Sequence, residues 1–297
     1  FISKTQRRKM SSTYEAAVPL LIADRDVALP AALTERVSGL LMSLARFDAE
    51  QRMRGYDLPA MLLRSESSAS SQIESLTSSA RNVALAELAS DAPHNAQLIA
   101  GNIAAMKSAL SLEGPLEVAG ILEVHRTLIN RNGVTFGGAL RSEQVWVGGS
   151  SFSPHGALYV PPRYERVAAY LDDLVSFAAR DDIPPITKAA IFHAQLETIH
   201  PFIDGNGRTG RALLHKILRD EGVLSQVALP LSAGLLHDVD AYMAAIAAYQ
   251  QGNPVAIVEQ LVGALELAIV VGGLTAAKMD SVIEEWKAAI TERDGSS

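Results

Sequence analysis

Apolar residues recur at spacings of three and four through most of this chain, a period that buries one continuous face only when the backbone is helical. Between residues 30 and 50, Leu33, Val37, Leu40, Leu41 and Leu44 mark such a stripe, with Pro30 suited to a first turn. A second run begins at Pro59 and passes through Met61, Leu62 and Leu63 into a serine-rich patch at 65–79. Three more helices are expected at 84–88, 96–112 and 116–128, separated by Asp91-Ala92-Pro93 and Glu113-Gly114-Pro115. The period resumes over 164–179, 186–199 and 208–218, and beyond Pro230 it runs through Tyr242, Ile246 and Tyr249 toward the C-terminus.

It breaks once. After Asn130-Arg131-Asn132-Gly133, the residues Gly137, Gly138, Gly148, Gly149, Pro154, Gly156, Pro161 and Pro162 crowd around two short β-branched and aromatic runs at 144–147 and 157–160. Runs of that kind, split by turn residues, predict a small β-hairpin on an otherwise all-α helical bundle.

Composition narrows the function classes. The chain has 297 residues, 48% hydrophobic and 20% charged, a balance that folds rather than remaining disordered. A net charge of −7 argues against a surface built to hold nucleic acid or anionic lipid by charge, so neither is expected as a partner. The absence of cysteine excludes disulfides, iron–sulfur clusters and thiolate zinc sites, and fits a reducing, cytoplasmic setting. The longest apolar stretch, 261–279, contains Glu266, Lys278 and Gly272-Gly273, and reads as a buried helix rather than a membrane span. Near the start, Lys4, Arg7, Arg8 and Lys9 lead into Ser11-Ser12-Thr13 with no apolar run of the kind a secretory leader needs. The first residue is Phe1, which makes Met10 a candidate natural start.

The chemistry concentrates in residues 200–211: His200, Pro201, Phe202, Ile203, Asp204, Gly205, Asn206, Gly207, Arg208, Thr209, Gly210 and Arg211. Gly205 and Gly207 let successive backbone N–H groups turn toward one point, and a helix beginning near Arg208 adds its positive end, a combination that binds anions, phosphate above all. Arg208 and Arg211 share a helix face and can grip phosphate oxygens. Asp204 is placed to hold Mg²⁺ together with substrate phosphates. His200, at the end of the preceding helix, can take a proton from an attacking hydroxyl. Two weaker patterns overlap this segment. Residues 205–210 satisfy G-x-G-x-x-G, but a helical period precedes them where a dinucleotide fold needs a strand. His193, Glu197 and His200, at i, i+4 and i+7, could present three metal ligands, although such a triple more often forms a polar seam in a helical core.

Residues 200–211 match H-P-F-x-[D/E]-G-N-G-R-x-x-R at every fixed position, and on that motif the chain resembles the Fic family. Gly138-Ala139-Leu140-Arg141, Gln144-Val145-Trp146-Val147-Gly148 and Tyr159-Val160-Pro161-Pro162 are similar to the family's flap, which holds a target segment by strand addition. Ser70-Ser71-Gln72-Ile73-Glu74 is similar to the [S/T]-x-x-x-E-[G/N] inhibitory helix of relatives that carry it before the core, departing from the pattern at Ser75. The resemblance spans roughly residues 30–255 and divides the chain into an extension at 1–29, a helical region with the inhibitory helix at 30–115, a Fic core at 116–255 and C-terminal helices at 256–297.

It implies an all-α Fic fold with a small flap, transferring AMP from ATP to a protein hydroxyl with Mg²⁺. His200 is then the base, Asp204 the metal ligand, residues 205–207 (Gly205, Asn206, Gly207) the anion nest, Arg208 a phosphate ligand and Arg211 the γ-phosphate partner. Ser70 and Glu74 become the inhibitory pair, and Tyr159 and Val160 the docking strand. Tyr242 is a candidate wall of the adenine pocket, with Tyr249 on the same face. The implied partners are ATP and a hydroxyl-bearing target protein, the chain itself included, with homo-oligomers left open. Alternatives at the same site are removal of AMP, transfer of another phosphate-containing group, or nucleotide binding as a regulatory or toxin–antitoxin switch.

Overall fold

The computed structural model describes residues 13–51, 57–88, 91–130, 136–150, 152–225 and 227–294. The basic residues near the start, Met10 and the turn residues Arg131, Asn132 and Gly133 lie outside that set. Eleven α-helices are found among the described residues: α1 Ala31–Gln51, α2 Leu58–Ile73, α3 Ala80–Leu88, α4 His94–Ser111, α5 Val118–Ile129, α6 Val167–Ala178, α7 Pro185–Ile199, α8 Asn206–Asp220, α9 Leu231–Leu236, α10 Val239–Gln250 and α11 Pro254–Asp294.

Helix α7 forms the centre, enclosed on nearly every side, polar Lys188, His193 and Gln195 included. All but two of its fifteen residues are buried, with Pro185 starting the helix where a missing N–H costs nothing. Helices α6, α8, α10 and α11 pack around it. Helix α8 is less apolar by sequence, yet it buries Arg208, Thr209, Arg211, His215 and Lys216 together with Leu213, Leu214 and Leu218. Burial of polar groups is costly unless they are paired, and Arg211 finds its partners on α2, Lys216 on the turn after α4 and Arg208 on the loop before α8. One hydrophobic cluster extends from Ile22 through Leu171, Phe192, Leu213 and Leu265 to Ala276.

Helix α11 is long and apolar enough to cross a membrane by length and composition, the one such helix among the described residues. Its first half packs against α1, α7, α9 and α10, burying Ile257, Val258, Leu261, Val262, Leu265 and Ala268 in the common core.

The expected hairpin is replaced by something smaller. The two runs meet at a single antiparallel bridge between Val147 and Tyr159, and no longer strand occurs among the described residues. Gly148, Gly149 and Gly156 take positive φ, turning the backbone out of the extended conformation a ladder requires. Trp146 closes this local turn through Nε1 to the Ser150 carbonyl at 2.7 Å. The serine-rich patch also differs from its sequence appearance. Helix α2 runs through it, and Ser67, Ser70 and Ser71 are buried, with Asn102 of α4 donating to the Ser67 carbonyl at 2.9 Å and to Ser71 Oγ at 3.2 Å.

Candidate active site

The α7–α8 connection is built from two left-handed residues. His200 (φ 51°) ends α7, and Gly205 (φ 82°) opens α8 without any side-chain cap. The first N–H groups of α8 therefore carry no helical or side-chain acceptor, and they point toward the cavity mouth with the positive end of the helix. Between them, Phe202 is fully buried, and its backbone is clasped by Asn206, which accepts from the Phe202 N–H at 2.9 Å and donates to the Phe202 carbonyl at 3.0 Å. Asn206 thus spends its side chain on the loop and offers a ligand only its backbone N–H.

Two residues from elsewhere hold this loop in place. His125 of α5 stacks on Phe202 with ring centroids 3.6 Å apart. Its Nδ1 accepts the Gly138 N–H at 3.0 Å, which leaves Nε2 to donate to the Asp204 carbonyl at 3.0 Å and selects the neutral tautomer. Burial pushes this imidazole down to about 4, so the brace is uncharged near neutrality. Arg141, also buried, donates Nε to the His200 carbonyl at 2.8 Å and NH2 to the Pro162 carbonyl, tying the α7–α8 loop to the segment around the Val147–Tyr159 bridge.

The charged groups converge next to the α8 N-terminus. The Arg211 guanidinium, 1% exposed, donates Nε to Ser70 Oγ at 2.8 Å and NH2 to the Ser70 carbonyl at 2.8 Å and Glu74 Oε1 at 2.9 Å. Glu74 itself is 38% exposed. Arg208 is buried and meets the Asp204 carboxylate at 3.2 Å, while its Nε and NH1 have no protein acceptor. Buried guanidinium donors left unmatched beside an uncapped helix end are what a phosphate-bearing ligand would satisfy.

Glu74 is delivered by the way α2 ends. The Leu76 N–H returns to the Ser71 carbonyl at 2.9 Å and the Ser75 N–H to the Gln72 carbonyl at 2.8 Å, a Schellman closure. Ser75 takes φ 60° there, the conformation that glycine or asparagine adopts at least cost.

Glu74, Asp204, Arg211 and the first residues of α8 line one cavity of about 540 Å³, within the range of a nucleotide-sized pocket, whose lining does not include Arg208. Its walls include Glu74, Glu197, His200, Asp204, Arg211 and Tyr242, and Tyr159 of the flap segment stands opposite. Burial holds the His200 imidazole down at about 4, so it is a neutral acceptor near pH 7. Burial, then the neighbouring Glu74 charge, raises Glu197 to about 7. His193 does not join His200 as a metal ligand pair: its Nε2 bonds the Tyr242 hydroxyl at 2.7 Å, and no metal-holding cluster of three such side chains occurs among the described residues.

The fold and the motif can now be placed among known proteins. The Fic/DOC family pattern matches residues 115–218. This chain carries a Fic/DOC-family domain. The protein adenylyltransferase fic-1 of Caenorhabditis elegans is 36% identical over 107 residues, covering 36% of this chain and 20% of that one. The protein adenylyltransferase Fic of Drosophila willistoni is 34% identical over 110 residues, again 36% and 20% of the two chains. This chain therefore matches only about a fifth of the length of these curated relatives. In fold it is similar to a Fic family protein from Desulfovibrio desulfuricans G20, with a TM-score of 0.71 at 24% identity over 84% of this chain and 76% of that one.

Within the Fic domain, His200, Asp204, Gly205, Gly207 and Arg211 line the cavity together, and Ser70 and Glu74 reach it from α2. Tyr242 lines it too, although its ring is buried and its hydroxyl is engaged by His193. Tyr249 faces a different cavity and donates to Gln195 Oε1 at 2.9 Å. In the flap segment the Tyr159 hydroxyl donates to the Thr198 carbonyl at 2.8 Å, and the Val160 carbonyl accepts the Ala17 N–H at 2.9 Å. His125 and Arg141 as braces were not read from the sequence. A histidine at an apolar helix position and a lone arginine in a glycine-rich stretch carry no local signal of what they will hold.

Proposed function

We propose that this protein is a protein adenylyltransferase that moves AMP from ATP to a side-chain hydroxyl and that Glu74 restrains it. The observation that carries the reading is the convergence, at one cavity, of a neutral histidine, an uncapped helix N-terminus and the buried Arg211, with the buried Arg208 next to them on α8. The adenylyltransferase names of the relatives support the same reaction class.

In this reaction the target hydroxyl oxygen attacks the α-phosphorus, the bond from that phosphorus to the bridging oxygen of the β-phosphate breaks, and pyrophosphate leaves. His200 takes the hydroxyl proton as the new P–O bond forms, which its depressed pKa permits at neutral pH. The N–H groups of residues 205–207, with Arg208 and Arg211, hold the phosphate oxygens and neutralise their charge, the main demand of phosphoryl-group transfer. Asp204 fits a Mg²⁺ ion held jointly with phosphate, since it is a single carboxylate, 62% exposed, at the cavity mouth. Mg²⁺ bound there would supply further charge neutralisation. Tyr159 and Val160 form the edge against which an extended target segment lies.

Glu74 restrains by competition. Its carboxylate holds the Arg211 donor that a γ-phosphate needs, so ATP binds with its phosphates turned from the line of attack, and lost alignment costs orders of magnitude in rate. The test is transfer of label from ATP to protein by the parent, Glu74→Gly and the Glu74→Gly, His200→Ala double variant, read by mass spectrometry with ATP binding followed by calorimetry. A large rise in Glu74→Gly that vanishes in the double variant while ATP still binds supports the reading. Equal labelling by parent and Glu74→Gly removes the restraint, and labelling that persists without His200 removes the base.

A further inference from the structure

Helix α2 meets α8 along more than the Glu74 contact. Glu66, Ser70 and Glu74 stand at successive four-residue steps on α2, and His215, Arg211 and Gly207 at successive four-residue steps on α8, running the opposite way. At the cavity end, a Cβ on Gly207 would fall within contact distance of Glu74 Oε1. One turn deeper, Ser70 takes the Arg211 Nε. Another turn deeper, away from the cavity, His215 Nε2 lies 3.2 Å from Glu66 Oε1. The antiparallel helices are joined by a polar seam with one rung per turn.

The deepest rung is the most enclosed. Glu66 has no exposed surface, and it accepts the Ser232 N–H on Oε2 at 2.7 Å and the Ser232 hydroxyl on Oε1 at 2.5 Å. Ser232, in the first turn of α9, thus engages both carboxylate oxygens, while His215 of α8 lies beside Oε1 without bonding it. A buried carboxylate is costly to desolvate and is weak grounds for stability, but its fixed partners give it one allowed position and therefore set a register. The nearby apolar residues of α2 could tolerate a small slide along α8. The Glu66 bonds to Ser232 could not.

We infer that Glu66, through its two bonds to Ser232, is a positioning residue that fixes the register of α2 and so holds Glu74 on Arg211. It touches neither nucleotide nor reacting atoms and acts through Glu74 alone. The inference rests on the reading above that Glu74 restrains transfer. Loosening this rung raises the fraction of molecules in which Arg211 is released, at a distance of two helical turns from the site.

The experiment is a double-mutant comparison on the full chain, with label transfer from ATP measured for the parent, Glu66→Gln, Glu74→Gly and the two combined. Glu66→Gln keeps the shape but puts an amide NH2 where Ser232 offers a donor. The expected result is a rise of at least about fivefold over the parent, the lower end of coupling between linked sites. The rise should lie in kcat with the KM for target unchanged, and the combined variant should label at the rate of Glu74→Gly. A general loosening of the core would instead change transfer in the Glu74→Gly background as well, and that result overturns the inference. Ser232→Ala, which removes one donor and leaves the backbone N–H, serves the same comparison should Glu66→Gln lose its cooperative thermal transition. A rise in Glu74→Gly with none in folded Glu66→Gln or Ser232→Ala overturns the inference alone. No rise in Glu74→Gly overturns the reading beneath it, and the inference with it.

Discussion

The carboxylate of Glu74 lies against Gly207, in the volume that a side chain at position 207 would fill, and Arg211 NH1 stands 2.9 Å from the same point. A glycine here serves approach rather than turning, since left-handed backbone in this loop falls at His200 and Gly205. Whatever sits on the α8 N-terminus, carboxylate or phosphate, sits where position 207 has no Cβ.

Gly207→Ala should therefore separate stability from activity. With Glu74 in place the methyl would fall on its carboxylate, so the comparison belongs in a Glu74→Gly protein, where alanine at the second position of α8 is at least as favourable for the helix as glycine and the melting temperature should hold or rise. In a Glu74→Gly background, the added methyl refills the vacated space, and transfer should fall on the order of tenfold to a hundredfold, the cost of an ångström-scale misplacement. Label transfer and a thermal melt on the same preparation decide it. Unchanged transfer would place the phosphates elsewhere.

The metal expectation is checked by removal. EDTA and Asp204→Ala should each abolish transfer, since Asp204 is the carboxylate at the cavity mouth. Elemental analysis of the purified protein is expected to show no stoichiometric zinc, because His193 is bonded to Tyr242 and does not turn toward His200. Zinc surviving mild chelation would contradict this.

Ser75 bears a backbone cost that glycine would relieve. Its φ of 60° is left-handed, and Ser75→Gly at the end of α2 should stabilise the fold by ~0.5–1 kcal/mol. A denaturant titration measures the gain as a higher midpoint at unchanged slope. A lower midpoint would mean that glycine's extra freedom in the unfolded chain outweighs the relief.

Acid should weaken the fold, with a sign set by four largely enclosed groups. Burial lowers His125 and His200 to about 4 and, with Arg211 adding to it, His193 to about 3. Below 6.5 the unfolded imidazoles take protons that the folded ones refuse, so stability falls with pH until the folded values are passed. Glu197 opposes this: raised to about 7, it keeps its proton in the folded state while the unfolded carboxyl releases above 4.5. Three groups against one leave a net loss on acidification. Glu197→Gln removes the opposing contribution, so its melting temperature should drop more steeply than the parent's between pH 6.5 and 4.5. Parallel slopes would show that Glu197 is ionised at neutral pH.

What the sequence made legible follows distance along the chain. The helices announced themselves because their period is local, and α7 and α8 begin within two residues of the sites their spacing predicted. The loop motif was legible for the same reason, with base, carboxylate, glycines and arginines inside twelve positions. The Val147–Tyr159 pairing was expected as a hairpin and proves to be a single bridge, since β-branched residues alone do not overcome glycines at positive φ. The burial of Ser67, Ser70 and Ser71 was not legible, because their partners are Asn102 and Arg211, 31 to 141 residues away. Glu66 and Ser232, separated by 166 residues, were silent for that reason.

The enclosure of Arg211 bears on how a nucleotide can arrive. Its guanidinium is already satisfied by Ser70 and Glu74, so binding there is an exchange of one anionic acceptor for another and creates no new charge pair. Dissolved salt weakens the formation of exposed ion pairs, and an exchange inside a buried pair is screened far less. Engagement of this arginine by a phosphate would thereby be largely insulated from ionic strength, and selectivity there would rest on geometry, on which acceptor better fits the fork, rather than on the pull of an open positive charge.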